Sequence, residues 1–254
     1  MPTRRRQTNS ARQVPSAATD EHRWHLAAAR AGNANGQYNL GADYAEGRGT
    51  RRDYRRAVKW FRLAASQGHV RAQWAVGYLL RYGRGVRRNA KEGFEWMLHA
   101  ARQGDAGAQF CVGVCYSFGE GAPRSPRRAL RWYLKSARGG FARAQYNVGY
   151  FYEHGRGTAQ NLRKAVDWYR RAARKGDADA RLNLGNCYFY GKGVERQPRR
   201  AFKLYLKAAL AGNRVAQRNV AAAYAEGVGV KRDKSLARRW LKRSRSTQDE
   251  NSLR

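Results

Sequence analysis

A period of 36 residues runs through almost all of this 254-residue chain and leaves little choice of architecture. Tryptophan marks the period with one vacancy, at Leu204, and only Trp74 lies outside it. Glycine follows the same period and forms a Gly-x-Gly in every unit. Self-similarity of this length is typical of solenoids, in which each unit packs only against its neighbours. The periodic tryptophans are Trp24, Trp60, Trp96, Trp132, Trp168 and Trp240.

Within one unit the pattern predicts two helices joined by a glycine turn. Ala34, Tyr38 and Ala45 recur at helical spacing, so we expect the first helix over residues 34–45. Gly47 follows, and a glycine just past a helix end can adopt the left-handed conformation that satisfies the last carbonyls. The second helix is expected six residues later, after a side chain that caps its first turn. The capping residues are Asp53, Asn89, Ser125, Asn161 and Asp233, with Gln197 as the exception.

An apolar stripe on the second helix indicates how the units pack. Ala57, Trp60 and Ala64 place one large ring and small residues on one face. A single helix pair cannot bury this stripe, whereas stacked pairs form a continuous core. We assign residues 21–245 to the solenoid, with the second helix of a truncated leading unit at its start, and residues 1–20 and 246–254 to disordered tails, the first of them basic. The six full units begin near residues 34, 70, 106, 142, 178 and 214.

The unit over residues 142–177, ARAQYNVGYFYEHGRGTAQNLRKAVDWYRRAARKGD, resembles the Sel1-like repeat, a relative of the tetratricopeptide repeat. The Gly-x-Gly turn and the Ala-x-x-Trp-Tyr-x-x-Ala-Ala second helix carry the resemblance, which covers about residues 22–245. It implies an all-α fold, a right-handed α-solenoid superhelix of about six 36-residue helix-turn-helix Sel1-like repeats plus an N-terminal half repeat. It also implies an adaptor that assembles complexes. Exported members with a cysteine pair in each repeat have been linked to β-lactam binding or hydrolysis, and this sequence lacks those pairs.

The balance of charge is far from that of an ordinary domain. Lysine and arginine number 52 against 18 aspartates and glutamates, which gives a formal net charge of +34. Such a field attracts polyanions through counterion release, but a coding bias toward arginine would produce the same composition, and both interpretations stay open. The first twenty residues lack a signal-peptide core, and no window approaches a membrane-spanning helix. We expect a monomer in a bacterial cytoplasm, with export as an effector by a route other than Sec left open.

No residue pattern of catalysis or metal binding stands out. The five histidines share no metal-ligand spacing, and the Gly-x-Gly follows no strand, unlike a dinucleotide-binding fingerprint. Cys111 and Cys115 lie one helical turn apart, but Cys115 and Cys187 occupy the same repeat position, which is typical of small buried residues. The sequence therefore predicts neither an enzyme nor a metal or cofactor site.

Aromatic residues on the first helices are the main candidate for ligand binding. In the related tetratricopeptide array the first helices line a concave groove, and rings there offer large contact area at low conformational cost. Rings one turn apart also pack on one another, so about half of this set is expected in the core. Trp74 is the strongest candidate because it alone lies outside the tryptophan period. The aromatic groove comprises Tyr38, Arg71, Trp74, Tyr78, Tyr82, Phe110, Phe118, Tyr146, Asn147, Tyr150, His154, Asn183, Asn186 and Tyr190.

Asparagine recurs within the same helices and has two possible roles. Its side-chain amide could hold the backbone of an extended ligand, or it could bond to a neighbouring helix or loop. Recurrence in successive repeats fits both roles equally. The series is Asn39, Asn147, Asn183 and Asn219.

Arginine pairs recur in the loop between the two helices and in the first turn of the second. Stacking of the repeats would align them into a basic ridge that could follow a phosphate backbone or an acidic tail. Positive charge near a helix N-terminus opposes the macrodipole, so helix stability does not explain these residues. A solvated loop edge is the competing interpretation. The basic ridge comprises Arg51, Arg52, Arg55, Arg56, Arg87, Arg88, Arg127, Arg128, Arg199, Arg200, Arg238 and Arg239.

Three functional hypotheses follow. The leading one is a non-enzymatic scaffold or adaptor that binds a protein or peptide partner in the aromatic groove. The alternative is polyanion binding, chiefly of nucleic acid, through the basic ridge. The third, which rests on the resemblance alone, is a lactam-binding hydrolase.

Overall fold

The computed structural model describes residues 20–252, with side chains described as far as Arg245. Those residues form thirteen α-helices and no β-strand, which confirms the predicted all-α fold of repeated helix pairs. The helices are α1 (Asp20–Arg30), α2 (Ala34–Glu46), α3 (Tyr54–Ser66), α4 (Val70–Tyr82), α5 (Ala90–Arg102), α6 (Ala106–Phe118), α7 (Pro126–Arg138), α8 (Ala142–Glu153), α9 (Leu162–Arg174), α10 (Ala178–Tyr190), α11 (Pro198–Leu210), α12 (Arg214–Glu226) and α13 (Lys234–Ser252).

Side chains cap the second helix of the repeats, as predicted. Each capping oxygen accepts a hydrogen bond from the backbone N–H three residues later, at 2.9–3.3 Å. Gln197 makes no such bond, and α11 begins directly with Pro198. The five caps are Asp53, Asn89, Ser125, Asn161 and Asp233. Local chemistry therefore fixes where these helices begin.

Glycines with positive φ end most of the first helices and also join consecutive repeats. Gly119 closes α6 with a φ of 78°. Gly157, the second glycine of its turn, has a φ of 69°, and a Cβ there would lie 2.5 Å from the carbonyl carbon of Pro126. Gly229 approaches the first turn of α11 in the same way. The Gly-x-Gly is thus a C-cap, as predicted, and in addition a contact between repeats that only glycine fits.

The described residues form two compact units, one up to His99 and one from Ala100 onward, and the boundary between them falls within α5. In the first unit the core lies along α2, α3 and α4 and includes Leu40 and Val76. In the second unit apolar residues of α7 to α12 form the core.

In the second helices α3, α5, α7, α9 and α11, a large buried side chain follows the periodic tryptophan position by one residue. Trp60 is half-buried, whereas Phe61 is buried beside the small residues of the predicted stripe. Tyr133, Tyr169 and Tyr205 hold the same position in the second unit and are buried as well. Burial raises the pKa of all three phenols, so their hydroxyls stay protonated and act as hydrogen-bonding groups.

The leading half repeat packs on α2 through two buried histidines. His22 and His25 place Nδ1 3.0 and 2.8 Å from the same carboxylate oxygen of Asp43. No group of histidine, cysteine or acidic side chains in the described part of the chain could hold a metal ion. These histidines therefore serve the packing of α1.

Two of the three cysteines occupy the core, as predicted from their shared repeat position. Cys115 and Cys187 are buried on α6 and α10, and Cys111 is half-buried. Burial raises the pKa of the Cys187 thiol to about 12, which keeps it protonated.

Most residues of the two predicted tails lie outside the described part of the structure. The N-terminal tail, residues 1–20, lies outside the described residues except for Asp20, which begins α1. The C-terminal tail, residues 246–254, falls on the end of α13 and on residues 253–254, which lie outside the described part. The assignment of both tails stays a prediction. None of the helices within residues 20–252 has the length and apolar character needed to cross a membrane.

Candidate functional site

The aromatic groove residues of α4 form a row of rings in the first unit. Trp74 stacks on Tyr78 with ring centroids 5.5 Å apart, and the Tyr78 and Tyr82 centroids are 4.7 Å apart. Trp74 is 36% exposed and Tyr82 53% exposed. The guanidinium of Arg84 lies 5.5 Å from the centre of the Tyr78 ring. The row thus presents two accessible rings on either side of a half-buried one.

Two further groove residues of the first unit, Tyr38 and Arg71, line a separate depression of about 560 Å³. The Tyr38 ring stacks on His69 at 4.7 Å and lies 5.7 Å from Phe61. Arg71 is exposed. Tyr38 therefore contributes mainly to packing.

Groove residues of the second unit divide into packed rings and exposed rings. Phe110 lies 5.2 Å from Phe141, and both Phe110 and Tyr146 pack against the buried core. Phe118 and Tyr190, at the ends of α6 and α10, are 73% and 64% exposed. Only the second group offers large rings to a ligand.

Two of the four recurring asparagines, Asn147 and Asn183, bond to buried tyrosines, and so does Asn186 outside that series. Asn183 Nδ2 donates to the Tyr169 hydroxyl at 3.2 Å, and Asn186 Oδ1 accepts from the Tyr205 hydroxyl at 2.8 Å. Asn147 forms a side-chain hydrogen bond with Tyr133. All three amides link neighbouring helices, and for Asn147 and Asn183 this is the second of the two roles that the sequence left open.

Two equivalent cavities lie beside Phe118 and Tyr190, two repeats apart in the second unit. Each is bounded by the tyrosine of a second helix and by the proline that begins that helix. The Phe118 cavity has a volume of about 490 Å³ and is lined by Ser117, Phe118, Arg124, Pro126, Tyr133, Asn147, Tyr150, Phe151 and Arg156. The Tyr190 cavity has a volume of about 300 Å³ and is lined by Phe189, Tyr190, Pro198, Phe202, Tyr205, Asn219, Ala222, Ala223, Glu226 and Val228.

The two cavities differ in charge. Two arginines, Arg124 and Arg156, line the Phe118 cavity, and no acidic residue does. In the Tyr190 cavity Val228 takes the repeat position of Arg156, and Glu226 is the charged lining residue. The same framework therefore offers a basic site in one repeat and an acidic one two repeats later.

The sequence places Arg124 in the basic run PRSPRR at 123–128 but gives it no role of its own, and Arg156 is not among the predicted site residues. Arg124 precedes the cap Ser125, and Arg156 is the middle residue of a Gly-x-Gly. The turn was interpreted only for its backbone role. The available signal for Arg156 is a basic residue inside that turn, shortly after the predicted groove residues Tyr150 and His154.

Every arginine of the basic ridge is exposed, but part of the ridge has a structural role. Arg88 Nε donates to the carbonyl seven residues earlier, at 3.0 Å. Arg196 and Arg232, at the equivalent position, make the same bond at 3.0 and 2.9 Å. The residue before the cap thus satisfies a carbonyl that the end of the first helix leaves without a partner.

A second column of the ridge lies over tyrosine rings. Arg56, Arg128 and Arg200 each place a guanidinium 5.5–5.8 Å from the centre of a first-helix tyrosine in the same repeat. A cation over a ring at an exposed site stabilises the fold by about 0.5–1 kcal/mol. These arginines therefore do not require a polyanion to explain them.

The loops that carry the ridge are neighbours within the second unit. Gly157 packs on the first turn of α7 beside Arg127, and Gly229 packs on that of α11 beside Arg199. A cavity of about 820 Å³ lies at the second of these contacts, with Arg199 and Lys231 in its lining. Exposed positive charge thus continues from loop to loop in this unit.

The repeat matches a known family along most of the chain. A profile described as the Sel1 repeat matches residues 34–69, 70–105, 106–141, 142–177, 178–213 and 214–246. The chain belongs to the Sel1 repeat family. Sel1 repeats generally act as protein-interaction scaffolds, and the family is typically non-enzymatic.

Solved structures agree with this Sel1 repeat assignment. A protective antigen of uropathogenic Escherichia coli that displays an SLR fold is 31% identical, with a TM-score of 0.86 over 89% of this chain. The match covers 48% of that antigen, so the chain spans about half of its length. A Sel1 repeat protein from Oxalobacter formigenes is 28% identical, with a TM-score of 0.77, and the match covers 89% of this chain and 96% of that one. No curated protein matches the chain.

Proposed function

We propose that this Sel1 repeat protein is a non-enzymatic adaptor that binds a protein or peptide partner through the aromatic groove. The row of Trp74, Tyr78 and Tyr82 carries the proposal. Large rings anchor protein interfaces because they bury much apolar surface with few rotatable bonds. Tyr38, Phe110 and Tyr146 hold the same repeat position as Trp74 and are half-buried, whereas the larger ring of Trp74 is exposed. Packing therefore explains a ring at this position but not the exposed surface that the tryptophan adds.

Exposed rings of the second unit support the same function. Single exposed apolar residues are normal on a soluble protein. Phe118 and Tyr190, however, each border a cavity with polar groups in its lining, the usual form of a binding site for a side chain.

Capture from a native lysate with paired tryptophan variants tests the proposal. The tagged wild type, Trp74→Ala and Trp24→Ala are each incubated with nuclease-treated lysate, and the retained proteins are quantified by mass spectrometry. Trp24 is the matched control because it is 65% exposed on α1, outside the groove. Loss of an interface anchor weakens binding by about tenfold or more. We therefore expect Trp74→Ala to deplete a set of proteins that the wild type and Trp24→Ala both retain.

Two results would contradict the adaptor function. One is a set of proteins that the wild type retains from untreated lysate but not from nuclease-treated lysate, because nucleic acid would then have held them. The other is an identical set with Trp74→Ala and Trp24→Ala, which would exclude the Trp74 row as the binding surface.

Polyanion binding is the second candidate, and the neighbouring basic loops of the second unit favour it. The test compares the double variant Arg127→Glu/Arg199→Glu with Arg138→Glu/Arg174→Glu, which changes the charge equally at exposed positions outside the ridge. The probe is a fluorescent single-stranded 20-mer titrated at several salt concentrations. A ridge predicts a shallower salt dependence and weaker binding for the first variant only. Equal weakening would mean attraction by net charge without a site.

A further inference from the structure

We propose that the Phe118 cavity binds an acidic side chain of a peptide segment, while apolar neighbours of that side chain pack on the surrounding rings. The inference rests on the proposed function, since it names the chemistry of the partner that the adaptor would hold. It concerns the second unit and does not involve Trp74.

The floor of the cavity is preformed. Tyr133 and Phe151 are buried, and their rings meet edge to face with centroids 5.3 Å apart. The Tyr133 hydroxyl lies 3.1 Å from Ser117 Oγ and also bonds to Asn147. Because these groups are already fixed by packing and hydrogen bonds, a ligand would order little of the site on binding.

Arg124 does not fill the structural role of its repeat position. The equivalent residues Arg88, Arg196 and Arg232 each donate Nε to the carbonyl seven residues earlier, at 2.9–3.0 Å. Arg124 makes no hydrogen bond or ion pair with any residue that the structure describes, and it lines the cavity. Its guanidinium donors are therefore available to a ligand.

Arg156 supplies a second guanidinium. It lies over the Tyr150 ring, 4.8 Å from the centroid, and the Tyr150 ring is 4.2 Å from that of His154. Stacking on a ring holds a guanidinium in place and leaves its N–H edge for a carboxylate. Since none of the lining residues is acidic, neither arginine is neutralised inside the cavity.

Two guanidiniums beside apolar rings favour a ligand that is acidic and apolar at once. Arginine binds a carboxylate through two parallel hydrogen bonds, and that pair strengthens where rings exclude water. Phe118, which is 73% exposed at the mouth, offers contact area that a bare anion would not use. A nucleic-acid backbone would need a track of charges along a surface, whereas this site is a cavity of about 490 Å³.

Two isosteric peptides provide the test. One is fluorescein-labelled Gly-Ser-Phe-Glu-Leu-Ser-Gly, and the other has Gln in place of Glu; both are titrated by anisotropy into the full chain at about 150 mM salt. We expect the Glu peptide to bind about tenfold tighter or more, the difference that one charge-assisted pair produces. Arg124→Gln and Arg156→Gln should each reduce this ratio to below about threefold. Arg174→Gln is the matched control because it removes the same charge at an exposed position outside both the cavity and the basic ridge, and its ratio should equal that of the wild type.

Three outcomes would overturn the inference. The first is equal binding of the two peptides. The second is an equal loss of preference with Arg174→Gln, which would show attraction by net charge. The third is a single-stranded oligonucleotide that displaces the Glu peptide from the wild type but binds Arg156→Gln more weakly, which would make the cavity a phosphate site. If the peptides fail while Trp74→Ala still depletes the captured set, only the acidic site is wrong and the adaptor function stands.

Discussion

In the Phe118 cavity a buried tyrosine, a helix-starting proline and an exposed ring lie beside two arginines, whereas in the Tyr190 cavity the same three features lie beside the carboxylate of Glu226. Of the shared features, the buried tyrosine occupies a periodic position that the packing of helices requires. The charged residues occupy positions that packing leaves open. A repeat protein can thus keep one framework and change the chemistry of a site from repeat to repeat.

The two cavities also differ in whether the fold uses the arginine that precedes the helix cap or cap position. Arg196, beside the Tyr190 cavity, is bonded to a main-chain carbonyl, while Arg124 has no such bond. A charge that stabilises the fold in one repeat is therefore available to a ligand in another. Stability and ligand preference can be tested separately, because different residues determine the packing of the repeats and the charge of each cavity.

Disrupting the contact between repeats should lower the free energy of unfolding equally beside either cavity. Gly157→Ala and Gly229→Ala force alanine to a φ of 69° and 75° and press a Cβ into the first turn of α7 or α11. Positive φ costs about 1–2 kcal/mol and overpacking about 1–3 kcal/mol more. We expect each variant to lower the free energy of unfolding by about 3 kcal/mol, measured by urea denaturation.

Gly212→Ala is the control for that prediction. Gly212 has a φ of 89°, and a Cβ there would meet no atom within 4 Å. Only the backbone term applies, so a loss of about 1 kcal/mol is expected. Equal losses at Gly157 and Gly212 would show that the contact between repeats contributes nothing.

The preference for an acidic ligand should move to the Tyr190 cavity when its charged residues are exchanged and the rest of the repeat is kept. In a background with Arg124→Gln and Arg156→Gln, the double change Val228→Arg/Glu226→His gives the Tyr190 cavity the residues found at 156 and 154. We expect it to restore about a fivefold preference for the Glu peptide over the Gln peptide. Val228→Gln/Glu226→His, which has similar size and no guanidinium, should not. Restoration by both variants would mean that removal of the Glu226 charge, rather than a new cation, creates the preference.

Local signals account for what the sequence predicted well. The caps, the helix ends and the repeat boundaries depend on residues close in sequence, so Asp53 and Gly47 could be assigned without tertiary information. The buried ring was placed one residue early, at Trp60, because the choice between adjacent large residues depends on the neighbouring helix that receives Phe61.

The site was less predictable for the same physical reason. Arg88 and Arg128 look alike as members of a basic run, yet one bonds a carbonyl and the other lies over a ring. Whether an arginine has such a partner is decided by packing. Arg124 could therefore be recognised only once its repeat equivalents were compared in three dimensions, whereas the place of Arg156 inside the turn is visible in the sequence.

The smallest expected effect on stability concerns the N-terminal caps of α7 and α11, the helices that border the two cavities. Ser125 caps α7, while Gln197 leaves the first turn of α11 without a side-chain cap and donates instead to Glu195. Gln197→Ser should raise the free energy of unfolding by about 0.5–1 kcal/mol, and Ser125→Gln should lower it by a similar amount. Urea midpoints measure both changes. Because a cap belongs to the framework, the preference for the Glu peptide should stay constant in Ser125→Gln; a fall in that preference would show that the first turn of α7 also positions Arg124.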